Sequence, residues 1–140
     1  MPLLARCLSD AMTTPRVRES AVAALLALGT KDNRLRPEVI TALREGLKFG
    51  PKVVIDAAAM AMNDLGDESG IKAVTAELDA EIDANAKNYN VRYKRAEVYL
   101  RFQKWKYAKR DFEAGLKIEK QPRDPERLYV GMARASAGMG

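Results

Sequence analysis

The chain has 140 residues, 47% of them apolar, 31% charged and only 6% aromatic, which fits one domain-sized body of close-packed helices better than a β-sandwich. Histidine is absent and Cys7 is the single cysteine, which excludes histidine acid–base chemistry, an internal disulfide and a multi-thiol zinc site. The net charge of +5 is segregated, with +3 in residues 1–50, −5 in 51–90 and +7 in 91–140, so the basic C-terminal end reads as a well-solvated helical exterior that could also attract an acidic tail, a nucleic acid or an anionic membrane surface.

Residues 2–12 read as the remnant or cap of an earlier helix. Thr14 and Pro15 open the next one, since threonine caps free amides and proline suits the first helical position. Val17, Ala21, Ala24, Leu25 and Leu28 form its inner face, and Gly29 is expected as the left-handed residue that ends it. Pro37 to Gly50 follows with Val39, Ile40, Leu43 and Leu47 inward. Pro51 to Gly66 then turns Val54, Ala58, Ala61, Met62 and Leu65 inward. A helix from about Glu68 to Asp83 carries the stripe Ile71, Val74, Leu78 and Ile82. The acidic group Glu77, Asp79, Glu81 and Asp83 spreads around it as a solvated surface that would also attract the basic segment beyond. The last three helices are expected over Asn90–Phe102, Lys104–Glu119 and from Pro125 onward with Asp124 as cap. No stretch alternates usefully as a strand, and the longest apolar run is far short of a membrane span.

Two of these helices repeat at an offset of 37 residues: Val17, Ala21, Ala24, Leu25, Leu28 and Gly29 align with Val54, Ala58, Ala61, Met62, Leu65 and Gly66. A period of this size filled by a helix pair marks an α-solenoid. The stretch Pro15-Arg16-Val17-Arg18-Glu19-Ser20-Ala21 up to Leu28-Gly29, with its copy at Pro51–Gly66, resembles the first helix of a HEAT repeat, over about residues 1–83.

The C-terminal part has another spacing: Ala96 and Tyr99 on one helix, Trp105, Ala108, Phe112 and Leu116 on the next. It resembles a tetratricopeptide (TPR) repeat, with small residues where the helices touch and rings plugging the gaps around them. Gly131 repeats the place of Ala96, and the helix after Pro125 serves as cap. Arg92 and Arg95 stand where that family prefers large apolar residues, Gln103 where it prefers glycine and Gly115 where it prefers alanine; Pro122 arrives two residues late. The expected architecture is therefore an all-α solenoid of antiparallel pairs with about eight helices. It would comprise HEAT-like repeats over 1–85 and a TPR repeat with its capping helix over 86–140, packed as one continuous solenoid.

No phosphate-binding glycine loop, nucleophile elbow or calcium loop is present. The expectation is a cytoplasmic scaffold without enzymatic activity, cofactor, metal or membrane partner, binding a protein or peptide on a concave face. The TPR resemblance implies partner-binding positions at Asn90, Tyr93, Lys94, Glu97 and Arg101, then Leu128, Tyr129 and Met132. The family's carboxylate clamp would need Lys and Asn where Tyr93 and Glu97 stand. The alternative partner is a nucleic acid or other polyanion, bound through Lys87, Arg92, Lys94, Arg95, Arg101, Lys104, Lys106, Lys109 and Arg110, among which Tyr89, Tyr93, Tyr99, Trp105 and Tyr107 are interleaved.

Overall fold

The computed structural model describes residues 2–10, 13–48 and 51–140. Among them there are eight α-helices and no strand: α1 (Pro2–Ser9), α2 (Pro15–Lys31), α3 (Arg36–Gly46), α4 (Lys52–Asp64), α5 (Ser69–Ala84), α6 (Tyr89–Arg101), α7 (Trp105–Ile118) and α8 (Pro125–Gly138). The chain divides into two compact units, Met1–Val74 and Thr75–Gly140, with the boundary inside α5.

Local chemistry sets the helix starts. The Thr14 hydroxyl accepts from the Val17 N–H at 3.4 Å, with Pro15 in the first turn. Asp124 does the same for the Arg127 N–H at 3.2 Å ahead of Pro125. Each satisfies one amide that the helix itself leaves open. Gly66 leaves α4 at φ +88°, the left-handed turn that glycine adopts without steric cost. The similar turn expected at Gly29 is not formed. There α2 runs on to Lys31, and Gly29 lies buried inside it, where a Cβ would stand 3.1 Å from both Leu65 methyls and 3.2 Å from Val39 Cγ1. Close helix approach, not a chain reversal, is what this glycine provides. Gly50 lies outside the described residues.

In the first unit α2 packs on α1, α3 and α4, and α3 packs on α1 and α4. Leu8, Val22, Leu25, Val39, Leu43, Met62 and Leu65 meet in their common core, and Ala21, Ala42, Ala58 and Ala61 let the backbones approach. Ala21 and Leu25 of the expected inner face of α2 are buried, with Val22 and Gly29 beside them, but the first position differs. Val17 is 47% exposed, whereas Arg18 is only 7% exposed. The Arg18 guanidinium donates to the Asp10 carbonyl at 2.6 Å, which ties α2 to the end of α1 and gives a charged side chain a reason to be inside. At the start of α5, Gly70 lies against α4: a Cβ there would meet Ala59 Cα at 2.8 Å.

In the second unit α6 and α7 form an antiparallel hairpin, and α8 packs on both. Ala96, Leu100, Ala108, Phe112, Leu128 and Ala135 are its buried centre, with Tyr93, Tyr99, Trp105, Leu116 and Met132 packed around them. The hairpin corner is held by Lys104 N–H donating to the Tyr99 carbonyl at 2.8 Å, and it puts Gln103 at φ +58°.

The two arginines that stand in place of apolar residues have polar destinations. Arg92 donates through Nε and Nη2 to the Ala86 carbonyl at 3.2 and 3.1 Å. Arg95 forks onto Asp111, with Nε–Oδ2 and Nη2–Oδ1 both 2.7 Å, while Nη1 reaches Asp79 Oδ1 at 2.7 Å. Asp111 is buried at 3% exposure. Asp79 is thus no mere solvated charge, unlike its exposed neighbours Glu77, Glu81 and Asp83. It ties the C-terminal part of α5 to the hairpin.

Candidate binding cleft

Asn90, Tyr93, Lys94 and Glu97 recur at helical spacing and so lie along one side of α6. Facing them are Glu119, at the end of α7, Pro122 and Arg123 in the following loop, and Asp124, Arg127 and Leu128 at the start of α8. Together with Tyr89 they enclose a cleft of about 600 Å³, within the size range of ligand sites.

The cleft floor depends on an aromatic ring seated on a glycine. A Cβ on Gly115 would lie 2.3 Å from Tyr93 Cε1, so glycine at this position makes room for the ring against α7. Tyr89 and Phe112 flank the Tyr93 ring, with centroids 5.9 and 6.4 Å away. The Tyr93 hydroxyl is buried and has no hydrogen-bond partner among the described residues. Burial, together with the negative charge of Glu119 beside it, pushes its pKa up to about 12. The phenol is therefore neutral at ordinary pH, with the Glu119 carboxylate as a neighbouring acceptor but no well-formed hydrogen bond to it.

The cleft's charges are unevenly satisfied. Glu97 forms an ion pair with Arg127, tying α6 to α8. A Glu119 carboxylate oxygen accepts from the Arg123 N–H at 3.1 Å, and Asp124 caps α8. All three carboxylates have partners. The Lys94 ammonium and the Arg123 guanidinium have no ion-pair partner among the described residues.

Of the eight positions expected from the sequence, Asn90, Tyr93, Lys94, Glu97 and Leu128 line this cleft. Arg101, Tyr129 and Met132 do not. Arg101 is exposed at the end of α6, Tyr129 is 62% exposed, and Met132 packs on the core. Sequence reasoning missed the opposite wall, Glu119 to Arg127. The signal was present in the late proline, because the extra residues before Pro122 make the loop that forms this wall.

The basic segment 87–110 is dispersed by the fold. Arg95 is committed to its two aspartates, Arg92 to a carbonyl, and Tyr99 and Trp105 to core packing. Lys106, Tyr107 and Arg110 remain exposed on α7, with the Arg110 guanidinium 5.9 Å from the Tyr107 ring centre.

Among the described residues no group of three or more His, Cys, Asp or Glu side chains is placed to hold a metal ion, and no helix is long and apolar enough to cross a membrane. The class defined by these features is an all-helical protein with a polar cleft in its C-terminal unit. In comparisons with known proteins the chain matches no family model, no curated protein and no solved structure.

Proposed function

We propose that this chain is a helical-repeat interaction module, a cytoplasmic scaffold rather than an enzyme, that holds a peptide or protein segment in the cleft between α6 and the start of α8. The observation that carries the reading is the concave site itself, about 600 Å³ between α6 and the start of α8, with the buried Tyr93 hydroxyl beside Glu119 but without a well-formed hydrogen bond. A buried donor without a bond costs about 1–3 kcal/mol, and a peptide carbonyl would supply the acceptor. Asn90, exposed on the α6 wall, adds two donors and an acceptor of the kind that an extended backbone requires.

The solenoid character belongs to the same proposal. In the first unit each of α1 and α2 packs on the next helix and the next but one. This supports a stacked series of HEAT-like pairs, followed by a TPR-like pair and its capping helix.

The test is to select peptides from a random displayed library and measure their affinity for the parent chain and for Asn90→Trp, which fills the cleft from an exposed position. We expect the substitution to weaken binding tenfold or more, and Lys106→Glu/Arg110→Glu on α7 to leave it unchanged. The reverse pattern would move the binding surface to α7 and sink the cleft reading. The exposed Lys106, Tyr107 and Arg110 favour a polyanion as the second reading. Binding of an oligonucleotide that falls steeply with salt and vanishes with the α7 double substitution would establish it.

A further inference from the structure

We infer that the occupant of the cleft is an acidic segment, one that places an aspartate or glutamate side chain between Lys94 and Arg123. This rests on the reading of the cleft as a peptide site and names its ligand class. The charges decide it. Glu97, Glu119 and Asp124 are each already paired or hydrogen-bonded within the protein, and Arg127 is taken by Glu97. What the cleft offers outward is therefore two exposed cations with no ion-pair partner among the described residues, Lys94 on α6 and Arg123 on the loop before α8. One carboxylate between them would receive charge-assisted hydrogen bonds from both sides.

The same charges argue against a phosphate backbone. Only two cations of the lining lack an ion pair among the described residues, too few to follow a strand that carries a charge at every unit. The Tyr93 hydroxyl already has the Glu119 carboxylate beside it, so a second carboxylate there would be repelled, and an uncharged main-chain carbonyl of the bound segment is the acceptor it could add.

The experiment uses the full chain and three rhodamine-labelled degenerate peptide pools, all with amidated C-termini, whose fixed positions are Asp/Glu, Asn/Gln or Lys/Arg. A single-stranded oligothymidylate serves as fourth probe. Binding is read by fluorescence anisotropy at low and at physiological salt, with circular dichroism confirming that each variant is folded. We expect the acidic pool to bind tightest. Lys94→Glu and Arg123→Glu should each weaken it roughly tenfold and reverse its preference over the basic pool, and Tyr93→Phe should weaken the acidic and Asn/Gln pools alike.

If the Asn/Gln pool binds as well as the acidic one and ignores the two charge reversals, yet Tyr93→Phe or Asn90→Trp weakens it, the acidic preference is wrong and the peptide cleft stands. If no pool binds, both readings fall. If the oligothymidylate binds as tightly as the acidic pool and loses binding with the same charge reversals, the cleft is a polyanion site and the inference fails.

Discussion

Replacing Asp111 by alanine strands Arg95 inside the second unit. The Asp111 side chain is 4% exposed and that of Arg95 18%, and two bonds of 2.7 Å join them. Removing one partner of such a pair costs about 3–5 kcal/mol, because the remaining charge stays desolvated without its counter-ion. Asp79 still holds Nη1, but with its side chain 42% exposed it is screened by water and offsets little. The expected loss is therefore about 3 kcal/mol, a large share of the 5–15 kcal/mol typical of a whole domain. Asp79→Ala should cost under about 1 kcal/mol by the same screening. Arg95→Met combined with Asp111→Leu removes both charges together and should recover most of the loss. Trp105 is the only tryptophan and sits in this unit, so urea unfolding followed by its fluorescence reports on the right part of the chain. Asp111→Ala within about 1 kcal/mol of the parent, or a double variant less stable than Asp111→Ala alone, would refute the assignment of a buried, mutually dependent pair.

Gln103→Gly should stabilise the second unit by about 0.5–1 kcal/mol in the same assay, because Gln103 sits at φ +58°, where a side chain is strained and glycine is not. Gly70→Ala should destabilise the first unit by about 2 kcal/mol, read as a lowered thermal midpoint by circular dichroism, since the added methyl meets the Ala59 backbone at 2.8 Å and backbone yields less readily than a side chain. Raised pKa at Tyr93 means that its neutral form is favoured in the fold, so its contribution is complete below about pH 10 and is lost as pH climbs from there through about 12. Alkaline unfolding over that window should flatten in Tyr93→Phe, and an unchanged profile would place the phenol elsewhere.

What the sequence makes legible is local. Thr14, Asp124 and their following prolines signal helix starts because the bond that matters spans three residues. The Ala96–Ala108–Phe112 spacing signals the second core because small residues mark where helices touch. The misreadings involve partners far along the chain. Periodicity places Val17 on the inner face of α2 and gives no sign that Arg18 is buried, because the Asp10 carbonyl that receives the guanidinium belongs to the chain's turn out of α1. Arg95 reads as a departure until its two acceptors, sixteen residues away on either side, are brought together by two helix reversals. A glycine letter likewise does not say whether it ends a helix, as Gly66 does, or thins one, as Gly29 does. The α6 wall of the cleft is implied by the resemblance to a TPR repeat, whereas the opposite wall depends on the path of an irregular loop that periodicity does not describe.

Thinned helices also explain how a unit with so few large aliphatic side chains builds a core that shapes a cleft. Three rings each rest on a glycine of the neighbouring helix: Tyr93 on Gly115, Phe112 on Gly131 and Trp105 on Gly138, where a Cβ would fall 2.3, 2.6 and 2.2 Å from the nearest ring atom. Ring faces against bare backbone bury much apolar area over a short interhelical distance. Glycine costs about 1 kcal/mol of helix propensity at each place, and the seated ring offsets it. The arrangement runs from α8 through Phe112 to Tyr93, whose ring centre is 6.4 Å from that of Phe112. The outermost ring of the core is thus the floor of the cleft. A methyl added at Gly115 would lift Tyr93 toward the space assigned to the bound segment, whereas one at Gly138 would disturb Trp105 and leave that space as it is. If both substitutions affected binding equally, the cleft would be a by-product of overall stability; an effect of Gly115→Ala alone ties the site to the ring on which the proposed function rests.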